Sequence, residues 1–269
     1  MPQLANSSAD DRHTAVIVPL HPRYALTEQR STRRITLSPK YGKSAGDVDV
    51  RYQWVGAPDA PTVIVQGGIS ADRYVTETEK GDAGWWSELV GEDKAIDVTR
   101  CRVLSIDWLT PSDFAERPQA ISSEDQADAL AALVDALGIG RVAAFVGSSY
   151  GAMTALAFAA RYPEKVEKLI LLAGAHRSHP ISTAQRAIQR QILRLGQASG
   201  QVTEALSLAR QLAMTTYRGS EEFAQRFAGT PDYRDGRFHF PVEDYLEHAG
   251  RRFVERFDLE RFLALSESI

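Results

Sequence analysis

A chain of 269 residues has room for one large α/β domain or two small ones. Its 43% hydrophobic and 25% charged residues fit a globular protein, and a net charge of −4 argues against a nucleic-acid partner. No apolar run has the length of a membrane span, Met1–Asp11 shows no basic stretch ahead of an apolar core, and the single Cys101 leaves no intramolecular disulfide. No membrane partner and a cytoplasmic location are therefore expected.

Residues 1–30 are weakly patterned and read as an N-terminal arm. Arg33–Leu37 and Val48–Val55 alternate apolar and polar residues, which predicts two antiparallel strands around the turn-rich Pro39–Gly46. Arg30, Arg33 and Arg34 read as a solvated strand face. Thr62–Val65 is a short buried strand running into Gln66-Gly67-Gly68. Two glycines there let the backbone approach a neighbour closely, and the spacing is not that of a dinucleotide loop. Gly84–Gly91 predicts a short helix closed by glycine, with Trp85 and Trp86 as core anchors. Arg102–Ile106 is the next buried strand. Cys101, with no basic or histidine neighbour, reads as a buried structural thiol. Asp107 stands at the strand's C-terminal end, where α/β sheets place functional groups, although a turn or cap role fits as well. Ser122 and Asp125 have the spacing of a capping box, and Ala127, Leu130, Ala131, Val134 and Leu137 form the apolar stripe of the helix that Gly138 ends.

Val142–Val146 predicts a buried strand, and Gly147-Ser148-Ser149-Tyr150-Gly151 follows it as G-x-S-x-G centred on Ser149. A helical pattern with Ala152, Ala155, Leu156 and Ala159 on one face then runs to Tyr162-Pro163, where proline stops it. Strand, tight turn and helix are the context of a nucleophile elbow, which places a serine at a strand tip. In an elbow-type site the N–H of Tyr150 and one from the loop at Gly68 would face a developing oxyanion. Lys168–Ala173 predicts one more buried strand. The alternation from residue 62 to 173 predicts a mostly parallel sheet with helices on both faces. Beyond Gly174 the pattern is helical: Ala187, Ile188, Gln191, Ile192 and Leu195 suit one helix, and Ala205, Leu208, Ala209 and Leu212 a second. Phe223 and Phe227 mark a third, a loop spans Gly229–Gly236, and Tyr245–Leu265 suits a long last one. Such an insertion over strand tips is a lid. The expected division is an arm (1–30), an α/β core (31–175), and a lid with the start of the return to the core (176–269).

Several short segments recur together in one order: Gly84-Trp85-Trp86 with Val90-Gly91 and Lys94–Asp97, the elbow, Leu208–Leu212 with Thr216–Arg218, and Val242–Leu246 leading to Arg252–Asp258. In these the chain resembles the homoserine O-acyltransferases of methionine biosynthesis, an α/β-hydrolase branch with acetyl- and succinyl-transferring members. The resemblance implies an α/β-hydrolase fold and acyl transfer from acyl-CoA to the hydroxyl of L-homoserine. Ser149 would attack the thioester, release CoA and pass the acyl group on. It further implies Arg210 as the residue that binds the amino-acid substrate, with Arg218 as second candidate, because a planar guanidinium holds a carboxylate by two bonds. No metal and no cofactor beyond acyl-CoA as substrate are implied, and a homodimer through the lid is.

Three departures from the family stand out. Gln66-Gly67-Gly68 replaces a His-Ala-Leu type sequence, and Ala152 replaces a common glycine. The third concerns the base: this fold orders its triad Ser, Asp/Glu, His, and no matching acid and histidine follow. His176 lies just past a strand tip, His176 and His179 lack a third partner for a metal, and His239 and His248 read as structural. Leu263–Ile269 reads as an unfinished helix. The chain is expected to be a family member without its C-terminal part, whose sheet edge is thereby exposed. An esterase on the same scaffold, or a non-catalytic remnant acting as a dimerisation partner, are the other readings.

Overall fold

A computed structural model describes residues 28–56 and 59–269. The expected N-terminal arm lies, up to residue 27, outside the described residues. The chain runs β1 (Glu28–Leu37), β2 (Gly46–Val55), β3 (Thr62–Gln66), β4 (Val90–Gly91), β5 (Ile96–Asp97) and β6 (Arg102–Ile106). Then follow α1 (Ser123–Ala136), β7 (Ala144–Ser148), α2 (Tyr150–Arg161) and β8 (Leu169–Leu172). Six strands form one sheet in the order β1-β2-β6-β3-β7-β8. β1, β2 and β6 pair antiparallel, whereas β6, β3, β7 and β8 run parallel. The alternation in β1 and β2 places Ile35, Leu37, Val48 and Val50 inward, while Arg33 and Arg34 stay exposed and Arg34 pairs with Asp49 at 2.9 Å.

Period two divides the parallel strands between two cores. Ile64, Leu104, Ile106 and Phe145 face α1 and α2, against Leu130, Leu133, Val134, Ala155 and Phe158. Val65, Val103 and Val146 face the other way, beneath Val75, Val90, Val98 and the tryptophan pair. This second face is covered by the segment from residue 71 to 101, not by the helix expected at Gly84–Gly91. The reason is where the backbone hydrogen bonds go. Gly84, Trp85 and Trp86 donate their N–H groups to the carbonyls of Thr76, Tyr74 and Val75, so no helical ladder forms. Trp85 and Trp86 nonetheless anchor this core, stacked with centroids 5.0 Å apart. Cys101 is half-buried, its Sγ bonds the Asp97 carbonyl, and burial pushes the thiol up to about 11. α1 starts as its sequence predicts: Ser122 Oγ accepts from Asp125 N, and Asp125 Oδ2 accepts from Ser122 N at 2.7 Å.

β8 is not buried as the pattern of Lys168–Ala173 alone predicts, but it does form the exposed sheet edge that was expected. It is an edge strand, and Ile170, Leu171 and Leu172 are 48%, 39% and 41% exposed rather than buried. Local hydrophobicity predicts a strand but not its place in the sheet order.

The lid comprises α3 (Pro180–Ser199), α4 (Val202–Met214) and α5 (Ser220–Arg226), the hairpin β9 (Asp232–Arg234) and β10 (Arg237–His239), and α6 (Pro241–Val254) with α7 (Leu259–Glu267). The hairpin occupies most of the expected loop. The single helix predicted over Tyr245–Leu265 is broken, because Asp258 Oδ1 accepts from Arg261 N at 2.8 Å and caps α7. The buried faces are also rotated from those the pattern predicts. α3 buries Gln189 and Leu193 while Leu195 is 71% exposed, and α4 buries Leu206 while Leu208 is exposed. A third core joins lid to sheet: Leu193, Leu206, Phe253, Phe257, Phe262 and Leu265 pack with Trp108 and Tyr150 at the strand tips. Among the described residues no helix is long and apolar enough to cross a membrane.

Asp107, at the tip of β6, is a structural keystone. Its Oδ2 accepts from Arg51 Nε at 2.9 Å and Arg73 Nη1 at 2.6 Å, and its Oδ1 from Arg73 N at 2.9 Å. Burial by itself raises such a carboxyl, but these hydrogen bonds and the two guanidinium charges outweigh it and hold the group below the usual carboxylate range. A lowered folded value means that the pairing stabilises above the unfolded value of about 4 and is lost as pH falls through the folded one. Asp107→Asn is expected to cost about 3 kcal/mol at neutral pH, with the difference shrinking below about pH 4. Urea denaturation of both proteins across pH 3–8 checks this; a gap independent of pH would refute it.

Candidate active site

β7 ends and α2 begins at Ser149, whose backbone is held at φ +54° and ψ −115°. That region is uncommon for a residue with a Cβ and costs about 1–3 kcal/mol. Close backbone packing over-determines it. Ser149 N donates to Leu172 O at 2.8 Å, and Gly151 N to Gly67 O at 2.8 Å. A Cβ on Gly151 would lie 2.1 Å from the Gln66 carbonyl oxygen, and one on Gly147 2.3 Å from that of Gly151. Both glycines of the G-x-S-x-G pattern are thus required by contact. Ser149 itself is exposed to solvent. Ala152 is fully buried, and its methyl group is accommodated because residue 174 opposite is glycine, where a Cβ would fall 2.3 Å from it.

The loop after β3 lies against the serine. A Cβ on Gly68 would stand 3.6 Å from Ser149 Cβ and 3.8 Å from its Oγ. The Gly68 carbonyl accepts from Trp108 Nε1 at 2.9 Å and from Ala71 N at 3.0 Å, which fixes this peptide group. Among the described residues, the N–H groups of Gly68 and Tyr150 donate to no protein acceptor. Gln66 is buried and serves the sheet: its Oε1 accepts from Ser105 Oγ at 2.8 Å and Ile106 N at 3.0 Å. The Tyr150 side chain is wholly buried, edge-on to Trp108 at 4.7 Å and hydrogen-bonded to Ser268 in the segment after α7. Burial pushes its phenol well above the ordinary value, so it stays protonated.

Ser149 opens into a cleft beneath the lid, which Ile69, Gln189, Arg186, Arg210 and Phe253 also line. Arg210 projects from α4 with its guanidinium 5.0 Å from the Phe253 ring centroid and Nη1 3.2 Å from the Tyr217 hydroxyl. Among the described residues it has no carboxylate partner. Arg218 is placed elsewhere: it pairs with Glu222 at 2.8 Å, contacts the Tyr245 hydroxyl, and does not line the cleft. Arg186 was missed by sequence reasoning, because nothing in the spacing of α3 separates it from a solvated arginine. It lies on the cleft wall, half-buried, with Nη2 2.5 Å from Ser178 Oγ and no carboxylate partner among the described residues. Burial first, and the charge of Arg190 second, hold its guanidinium below the ordinary value.

A second opening beside Ser149 is lined by Met153, Ala173, His179 and Arg186. The histidine brought toward the serine is therefore His179 and not His176, which lines neither opening. His179 Nδ1 accepts from Ile181 N at 3.3 Å as the cap of α3. Among the described residues no imidazole or carboxylate hydrogen-bonds to the Ser149 hydroxyl. His239 is half-buried at the end of β10 in the hairpin, whereas His248 is exposed on α6.

The relatives of the chain agree with this architecture. Residues 61–234 match the family described as alpha/beta hydrolase fold. The homoserine O-succinyltransferase of Xanthomonas campestris pv. campestris is 44% identical over 224 residues, covering 83% of this chain and 60% of the relative. The chain therefore spans less than two thirds of that protein's length. The L-serine/homoserine O-acetyltransferase of Streptomyces lavendulae is 34% identical, over 82% of this chain and 68% of its own length. The crystal structure of homoserine O-acetyltransferase from Staphylococcus aureus superposes with a TM-score of 0.74 at 27% identity, covering 90% of this chain and 71% of that one. By fold and by sequence, the chain belongs to the α/β-hydrolase superfamily and, within it, to the homoserine O-acyltransferase family.

Proposed function

We propose that the site carries acyl transfer from an acyl-CoA to the hydroxyl of L-homoserine through an acyl-enzyme on Ser149. The observation that carries this reading is a strained, exposed serine that shares a cleft with an arginine without a carboxylate, beside the unpartnered N–H groups of the adjoining Gly68 and Tyr150. Ser149 Oγ attacks the thioester carbon, and the N–H groups of Gly68 and Tyr150 stabilise the oxyanion that forms. Collapse breaks the carbon–sulfur bond, CoA leaves as the thiol once its sulfur has taken up the proton given up by Ser149, and the seryl ester remains. The acceptor hydroxyl attacks that ester, the bond to Ser149 Oγ breaks and the acceptor's proton returns to it, while the acceptor's α-carboxylate lies on Arg210 by a charge-assisted pair. Arg186 supports succinyl over acetyl as the transferred group, since a second arginine in the cleft gives the distal succinyl carboxylate a partner. The name of the Xanthomonas campestris relative agrees with that choice. The product would enter methionine biosynthesis.

Incubation with succinyl-CoA is expected to acylate Ser149, read by peptide mass spectrometry, and Ser149→Ala to abolish the modification. L-homoserine should discharge the acyl-enzyme faster than water does; equal discharge would instead make the protein an esterase. Arg210→Ala should weaken the homoserine dependence of that discharge by about tenfold or more, the worth of one charged hydrogen-bonded pair. Arg186→Ala should erode the preference for succinyl-CoA over acetyl-CoA in acylation by about tenfold.

A serine hydroxyl with no base in hydrogen-bonding reach stays protonated. Turnover by the 269-residue chain is accordingly expected to be slower than that of a base-assisted serine by about 10²–10⁴-fold. Multi-turnover CoA release at an ordinary enzymatic rate of about 10 s⁻¹ would overturn that expectation.

A further inference from the structure

A second groove adjoins the catalytic cleft and shares Ser70, Arg210 and Phe253 with it. Trp85 forms part of one wall. The C-terminal half of α6 and the residues after it supply His248, Arg252, Arg256 and Phe257, and no carboxylate lines the groove. His248 and Arg252 stand one helical turn apart on α6, and Arg256 follows just past its end, so one face of this segment is cationic. Among the described residues neither Arg252 nor Arg256 has a carboxylate partner, whereas the neighbouring Arg251 pairs with Glu247 at 3.3 Å on another face. Trp85 is held by a bond from Nε1 to the Asp72 carbonyl at 2.9 Å, and a Cβ on Gly67 would lie 3.0 Å from its ring carbons. The aromatic wall thus abuts the loop that carries Gly68.

An arginine pair left without acids, beside aromatic rings, in a chain of net charge −4, is a local reversal of sign that suits a compact polyanion with a ring to stack. An amino-acid acceptor is too small to need this groove once Arg210 holds its carboxylate. The thioester donor is not: its acyl end must reach Ser149 while its nucleotide end carries the phosphates. We propose that the groove between Trp85 and α6 binds the phosphate-bearing nucleotide end of the acyl donor, with Arg252 and Arg256 on the phosphates. The assignment rests on the acyl-CoA reading of the neighbouring cleft, and it adds where the donor's charge is recognised.

The test is equilibrium binding of CoA, adenosine 3′,5′-bisphosphate, adenosine and inorganic pyrophosphate to the full chain, by calorimetry. CoA and adenosine 3′,5′-bisphosphate should bind to the wild type and to Ser149→Ala alike, more weakly as salt is raised. The double variant Arg252→Ala/Arg256→Ala should bind both at least tenfold more weakly, and Arg252→Lys/Arg256→Lys should recover part of the loss. Both arginines are exposed, so the substitutions leave the core intact. Unchanged affinity in the double alanine variant, or no binding by the wild type, overturns the proposal. Pyrophosphate that binds as tightly as adenosine 3′,5′-bisphosphate overturns it as well, since the groove would then read phosphate without the nucleotide. Acylation of Ser149 by a short thioester lacking a nucleotide does not involve the groove. Its success beside failed nucleotide binding would separate an error here from an error in the acyl-transfer reading.

Discussion

The backbone contact between the turn at Ser149 and the loop after β3 is the constraint on which the site depends. Gly151 N bonds the Gly67 carbonyl, and the absence of a side chain at Gly147 and Gly151 lets the two loops meet at backbone distance. That contact holds Ser149 at positive φ, against a local cost of about 1–3 kcal/mol. It also fixes where Gly68 lies relative to the serine. The same close approach that strains the serine therefore sets the spacing of the two N–H groups that would meet an oxyanion.

Around this contact the surrounding residues act as clamps at successive distances. Trp108 reaches the Gly68 carbonyl with its indole N–H and meets Tyr150 edge-on. Asp107, one residue earlier, ties down Arg73 in the loop that continues from Gly68. Arg261 of α7 bonds the Ala71 carbonyl from the lid side at 2.9 Å. The β6 tip thus supports the loop from below and the lid from above. Tyr150 belongs to both layers, because it follows Ser149 in the turn while its ring is buried in the core that seats the lid. Rigid support of this kind keeps hydrogen-bond donors aimed without reorganisation during reaction, which is how such donors contribute to rate.

Charge is distributed with equal economy of purpose. Asp107 binds two arginines and is spent on structure, whereas Arg186 and Arg210 in the cleft, and Arg252 and Arg256 in the groove, are left without acids. For the half-buried Arg186 and Arg210 an unpaired guanidinium is costly to keep unless a ligand anion uses it, whereas Arg252 and Arg256 are exposed and bear no such cost. On the proposed reading the sheet would provide the reacting serine and the helices the cations.

Much of this was legible from residue patterns. The six strands of the main sheet, the capping box of α1, the elbow at Ser149 and the helical lid follow from periodicity and turn chemistry, which are local. The hairpin, the break before α7 and the missing helix at Gly84 were not legible, because each depends on which distant backbone groups become partners. The rotation of α3 and α4 has the same origin: an amphipathic pattern shows that a helix has an apolar stripe, but neighbouring helices select which residues are covered. The site divided along the same line. Ser149 and its flanking glycines were determined by sequence, since a G-x-S-x-G turn between strand and helix admits few backbone paths. Which arginines reach that serine was decided only by tertiary structure. Arg186 and Arg210 lie on helices and Arg218 between α4 and α5, none marked out by its local sequence, and only the packing of α3, α4 and α6 over the strand tips brings the first two into the cleft and leaves the third outside it.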